Sequence, residues 1–93
     1  MPDLERIGGV TGWLRAAAIL GAAGLPMSNH LYPEFSAHLL RVTESADWLE
    51  WRDWGNPFLA EPFEVRDGAI QIPERPGAGI EWDEAAVKRF SIP

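Results

Sequence analysis

The sequence predicts an α/β fold: consecutive helix–strand units with parallel strands, followed by a β-hairpin and a short terminal helix. Three observations carry that reading. A helical period over residues 11–24 runs into a short apolar stretch, Leu25–Ser28, and the same order returns between Pro33 and Trp51. Asp67-Gly68 then stands between two short runs with strand-like alternation. Helix and strand alternating with short links is the pattern of parallel strands, which need a crossover between them.

Each element has its own signals. Ile7–Gly12 carries three glycines and reads as a loop. A phosphate cradle is the competing reading there, but the stretch has neither the Lys-Ser/Thr end of a Walker loop nor a GxGxxG match. Thr11 is placed to cap the following helix, on which Trp13, Ala17, Leu20 and Gly24 share a face; Gly24 and Pro26 stop it. Leu25–Ser28 is too short for a helix and reads as a buried strand. Pro33 suits a first helical turn, and Phe35, His38, Leu39 and Val42 fall on one face. Thr43–Ala46 breaks the pattern, and Asp47–Trp51 reads as the next strand.

After Arg52 the character changes. Asp53–Pro57 is loop chemistry, and Asp67-Gly68 is a two-residue hairpin turn that sets Val65 opposite Ile70 and Phe63 opposite Ile72. Asp83 caps a terminal helix through about Phe90. The expected organisation is one small domain, with 1–57 carrying the α/β units and 58–93 the hairpin and helix.

Composition narrows the function classes. The 93 residues are 46% hydrophobic and 24% charged, an ordinary globular balance. The net charge of −6 comes from scattered acids, which argues against nucleic acid and anionic membranes as partners. Leu14–Leu25, the longest apolar stretch, contains Arg15 and falls short of a membrane span. No secretory signal pattern stands at the N-terminus, and with no cysteine there are neither disulfides nor thiolate metal sites. A cytoplasmic location is the expectation.

Three ionisable residues stand where strands would end: Asp3, His30 and Glu50. Imidazole titrates near neutral pH and can serve as base and conjugate acid, and a carboxylate beside it orients the ring. His38, on an apolar helical face, reads instead as a packed histidine.

The motifs around these residues carry a resemblance. Met1-Pro2-Asp3 leads into Arg6-Ile7-Gly8-Gly9-Val10-Thr11-Gly12; then come Pro26-Met27-Ser28-Asn29-His30-Leu31, Ser36-Ala37-His38-Leu39-Leu40 and Trp48-Leu49-Glu50. In that order and at those intervals the chain resembles the C-terminal end of the enolase superfamily, and within it the mandelate racemase group. The likeness continues more loosely through Ile72-Pro73 and Pro76–Ile80.

The resemblance implies the last units of a (β/α)7β TIM-like barrel, with catalytic groups at the carboxyl ends of strands. Asp3 then matches the family's aspartate after the sixth strand, His30 its histidine after the seventh and Glu50 its glutamate after the eighth. The implied chemistry is magnesium-assisted removal of the proton α to a carboxylate, giving racemisation of a 2-hydroxy acid. An Asp3–His30 dyad moves the proton, and a protonated Glu50, its pKa raised, donates to the substrate carboxylate. Acid-sugar dehydration is the alternative outcome. The family's magnesium ligands, its opposite-face lysine base and its capping domain match nothing in these residues. A carboxy-terminal fragment is therefore expected, completed by another chain or existing as an inactive remnant or assembly piece.

Overall fold

Trp13, fully buried, is the centre of the first of two units in the computed structural model, which describes residues 1–93. The units are Met1–Arg52 and Asp53–Pro93, so the Asp53–Pro57 loop groups with the second. In the first, Trp13 packs with Leu4 and Met27, flanked by Ile7, Ala16, Ala17, Leu20, Leu39 and Leu40. Its indole Nε1 donates to Thr43 Oγ1 at 3.0 Å, and that hydroxyl donates to the Leu39 carbonyl at 2.7 Å. The one polar atom of the ring is thus satisfied inside the core. Truncating an aromatic residue in such a place costs about 3–5 kcal/mol.

Helix α1 spans Gly9–Ala22. It starts two residues before Thr11, which the sequence reading made its cap. Gly8, at φ 85°, is the cap instead, without a side-chain bond. The cause is a preceding turn closed by Ile7 N–H to Asp3 O at 3.1 Å and Gly9 N–H to Leu4 O at 2.8 Å. That turn leaves the Ile7 carbonyl so close to Gly12 that a Cβ there would lie 1.6 Å from its oxygen. Close backbone approach, not a phosphate, accounts for that glycine. At the other end Gly24 N–H bonds Gly21 O and Leu25 N–H bonds Leu20 O, with Gly24 at φ 65°. This is a Schellman stop at the glycine the sequence pointed to.

Helix α2 spans Pro33–Arg41, with proline in its first turn. Its buried residues are Pro33, Ser36 and Ala37, while Phe35 and Val42 from the expected face are 46% and 72% exposed. The helix enters from left-handed Leu31 and Tyr32, and that entry turns its small residues inward, where Ser36 Oγ donates to the Leu31 carbonyl.

The two expected strands are extended segments joined by single parallel bridges, Asp3 with His30 and Met27 with Ala46. Three parallel segments therefore lie side by side: Pro2–Asp3, Met27–His30 and Ala46–Glu50. α1 crosses from the first to the second and α2 from the second to the third. Backbone bonds run from His30 N–H to Pro2 O at 2.9 Å, Met27 N–H to Ser45 O at 2.8 Å and Asp47 N–H to Met27 O at 3.0 Å.

The second unit begins with a 3-10 turn, Asp53–Phe58, and has a core of Leu59, Phe63 and Ala86. Strands β1 (Glu64–Arg66) and β2 (Ala69–Gln71) pair Val65 with Ile70, as the turn chemistry predicts. Asp67 and Gly68 both have positive φ, 51° and 76°, which a type I′ turn demands. Arg75 fixes the following loop, donating to the Gly79 carbonyl at 2.7 Å and to Glu61 Oε2 at 2.5 Å. Helix α3 (Glu84–Phe90) is capped by Asp83, which accepts from Ala86 N–H at 3.0 Å. Its Phe90 meets Phe58 edge-on at 5.1 Å. No helix is long and apolar enough to cross a membrane.

The two glycines of α1 separate steric need from helix propensity. Gly12→Ala is expected to destabilise by about 1–3 kcal/mol or more, since backbone must move. Gly21→Ala, whose Cβ meets nothing nearer than Glu44 Oε2 at 4.0 Å, is expected to stabilise by up to about 1 kcal/mol. Urea unfolding midpoints of the two variants check the pair.

Candidate active site

Asp3, His30 and Glu50 each close one of the three parallel segments, so all three stand at the same, carboxyl end. The His30 ring and the Glu50 carboxylate are in direct contact, Nδ1 to Oε2, at 3.0 Å. The His30 side chain is 47% exposed and that of Glu50 23%. The pair is held together yet open to solvent on the histidine side.

Glu50 is fixed from several directions. Its Oε2 accepts the Leu31 N–H at 2.7 Å, and its own N–H donates to Asn29 Oδ1 at 2.6 Å. The Leu31 bond, helped by the nearby His30 ring, holds the carboxyl below its ordinary value of 4.5, against an opposing effect of partial burial. The resemblance implies a protonated Glu50 with a raised pKa; the structure has the reverse. Nor are its surroundings uniformly apolar and closed, because the nearby Trp48 is 74% exposed. With Glu50 ionised and accepting, the proton of the neutral ring is assigned to Nδ1, leaving Nε2 as the free lone pair.

Asp3 reaches His30 differently from the expected dyad. The two are joined through backbone, as bridge partners, while the Asp3 side chain turns to its own loop. Its Oδ1 accepts the N–H groups of Glu5 at 2.9 Å and Arg6 at 3.1 Å, and Oδ2 lies 3.8 Å from Arg6 Nε. Short-range capping bonds of this kind are what an aspartate at the start of a turn makes most readily.

Sequence reasoning missed the residues that build the turn after His30. Asn29 is fully buried and donates through Nδ2 to Leu31 O at 3.0 Å and Glu50 O at 3.3 Å. Leu31 and Tyr32 have φ of 57° and 47°, a conformation that side chains other than glycine, asparagine and aspartate adopt rarely. Tyr32 hydroxyl donates to Glu5 Oε2, and that bond is the main reason its pKa is raised. The available signal was a polar Ser28-Asn29 pair at the end of the Leu25–Ser28 stretch, which reads as a buried strand.

The site therefore defines a class: an α/β protein with an imidazole–carboxylate pair at the carboxyl ends of parallel segments. The family follows from comparison with known proteins. The family described as enolase C-terminal domain-like matches residues 1–86, and the chain belongs to it. The L-talarate/galactarate dehydratase of Salmonella typhimurium is 33% identical over 85 residues, 91% of this chain and 21% of its own length. A crystal structure of an enolase from the alpha proteobacterium bal199 with bound magnesium is 56% identical, with a TM-score of 0.92 over 96% of this chain and 24% of its own. An enolase from Bradyrhizobium, complexed with magnesium and mandelic acid, is 45% identical, with a TM-score of 0.93 over all of this chain and 26% of its own. The chain thus spans about a quarter of the length of the relatives it matches. A muconate cycloisomerase of Acinetobacter lwoffii is also among them.

A depressed carboxyl pKa stabilises the folded state above the unfolded value and loses that contribution as pH falls through the folded one. The Glu50 contribution is therefore fully present above pH 4.5 and fades below it. Urea midpoints measured at pH 7 and about pH 3 are expected to differ less in Glu50→Gln than in the wild type. An equal difference would place the acid sensitivity elsewhere.

Proposed function

We propose that this chain supplies one edge of a site that removes the proton α to a carboxylate, with His30 as the base, in racemisation of a 2-hydroxy acid. The observation that carries the reading is the His30–Glu50 pair at 3.0 Å, at the common end of three parallel segments, which this reading takes as the last strands of a barrel. A relative at 45% identity holds mandelic acid, a carboxylic acid with a hydroxyl and a hydrogen on its α carbon, which fits a base of this type.

Each group has a role that its geometry allows. Nε2 of His30 takes the α proton, and the C–H bonding pair passes into the substrate as an enolate. The ring becomes an imidazolium whose Nδ1–H is already bound to the Glu50 carboxylate, so the new charge forms beside a fixed opposite one. Returning the proton to the carbon restores the acid; delivery from the opposite face would complete the racemisation. Glu50 enters as a carboxylate acceptor, which differs from the neutral donor of the resemblance. Asp3, joined to His30 by the segment pair, is the proposed second carboxylate of the site.

Magnesium is the metal implied by the family. No group of three or more His, Asp or Glu side chains in this chain converges as a metal site, so no step above is routed through the ion. The remaining groups of a complete site, including metal ligands, would come from residues beyond these 93 or from another chain. By itself the chain is proposed to be inactive. A second reading, dehydration of an acid sugar, has the 33% identity to the talarate/galactarate dehydratase in its favour. In that outcome the imidazolium would protonate a departing hydroxyl.

The test is a graft of residues 1–93 into the Bradyrhizobium relative in place of the matching segment, followed by α-proton exchange in D2O. Exchange with mandelate and loss of optical rotation are expected; keto-acid formation from galactarate instead would favour the dehydratase reading. His30→Asn in the graft is expected to lower exchange by about 10²–10⁴-fold. Glu50→Gln separates the two glutamate roles: an amide can donate but carries no charge, so retained activity would restore the neutral-donor reading.

A further inference from the structure

Asn29 is the buried group that the steps above leave without a role. It is completely inaccessible, and three hydrogen bonds engage its amide. Oδ1 accepts the Glu50 N–H at 2.6 Å; Nδ2 donates to the Glu50 carbonyl at 3.3 Å and to the Leu31 carbonyl at 3.0 Å. One side chain thus grips both backbone groups of Glu50 and one of Leu31. Leu31 is the residue whose N–H the Glu50 carboxylate accepts at 2.7 Å. The amide, the Leu31 peptide and the Glu50 side chain form a closed circuit, and the His30 ring hangs on its outer edge.

We propose that Asn29 is a positioning residue that sets the Glu50 carboxylate against Nδ1 of His30 and so decides which ring nitrogen is free to act as base. The proposal rests on the proton-transfer reading of this site but is tested without turnover. The donor and acceptor pattern is specific to an amide. Asp at this position would turn a carboxylate oxygen toward two carbonyls. Ala would take the Asn29 partner from both the N–H and the carbonyl of Glu50 in a part-buried place, while the Leu31 carbonyl keeps Ser36 Oγ. Ser28, the neighbouring residue, makes a comparable tie that bypasses the pair: its Oγ accepts the Trp48 N–H at 3.1 Å. It is the natural control for simple strand attachment.

The experiment is ¹⁵N NMR of the imidazole rings in the full chain at a pH where they are neutral, with His30 assigned by its loss in His30→Asn and His38 as internal reference. The wild type is expected to hold the proton on Nδ1 of His30. In Asn29→Ala the ratio of Nδ1–H to Nε2–H is expected to fall about three- to tenfold, the size of one ordinary hydrogen bond, with His38 unchanged. Ser28→Ala is expected to leave the ratio as it is. If Asn29→Ala does not fold, Asn29→Ser, which keeps an oxygen acceptor, is read in its place. An unchanged ratio in a folded Asn29 variant, an equal change in Ser28→Ala, or unfolding of both Asn29 variants would overturn the proposal. A graft that fails to exchange protons while the ratio still responds would remove the catalytic reading and leave the positioning intact.

Discussion

The site depends on how one pair of parallel segments comes apart. Backbone bonds join Met27 to Ser45 and Asp47, and there the backbone ladder stops. The next donors on the third segment, the N–H groups of Trp48 and Glu50, go to side chains: Ser28 Oγ and Asn29 Oδ1. Side-chain oxygens thus take over from main-chain carbonyls as acceptors along this pair of segments. The main-chain pairing thus ends without leaving the part-buried Glu50 N–H unpaired; a buried N–H without a partner costs about 1–3 kcal/mol. The His30 ring and the Glu50 carboxylate meet where that pairing ends. Two polar residues at the end of an apolar run are therefore the device that turns a strand pair into a candidate site.

What was legible in the sequence followed from local chemistry. The Schellman stop at Gly24, the proline entry to α2, the Asp67-Gly68 hairpin and the Asp83 cap each depend on a residue and its immediate neighbours, and the structure has them all. Thr11 failed as a cap because a preceding turn, closed by bonds from residues three to five positions apart, brought the helix start forward to Gly9. The expected buried face of α2 holds only in part, with Leu39 against the core but Phe35 and Val42 exposed. Periodicity ranks residues by apolarity, whereas close approach here selects the small Ser36 and Ala37. Of the candidate site, the segment-end positions of Asp3, His30 and Glu50 could be read. The partner of the imidazole could not, because three side chains with overlapping reach are sorted by backbone bonds that no spacing rule records.

That sorting has an electrostatic logic. Asp3 faces two N–H groups of its own turn, a local arrangement that forms with little loss of chain entropy. Glu50 faces one N–H and one imidazole, both on another segment, and only tertiary structure can bring them there. Each carboxylate is thereby kept as an acceptor. The consequence for His30 is directional: charge stabilisation comes from the side of the third segment, through Nδ1, while Nε2 faces away from that carboxylate. The carboxylate's low pKa and the open nitrogen are two results of one hydrogen-bond pattern.

The turn that follows His30 shows why this pattern must be strong. Leu31 and Tyr32 both lie in the left-handed region, and each such residue costs on the order of 1 kcal/mol. Proline at position 33 adds a constraint, since it disfavours helical backbone in the residue before it. Against this strain stand the Glu50 carboxylate on the Leu31 N–H, Asn29 Nδ2 and Ser36 Oγ on the Leu31 carbonyl, and the Tyr32 hydroxyl on Glu5. Every one of these partners is a side chain, and they come from the second and third segments, from the turn after the first and from α2. The conformation that ends the second segment at His30 and starts α2 is thus imposed by groups that converge only in the folded unit. Because the carboxylate that relieves the strain at Leu31 is also the one that binds the ring, local stability and the state of His30 are coupled through a single oxygen, Oε2 of Glu50.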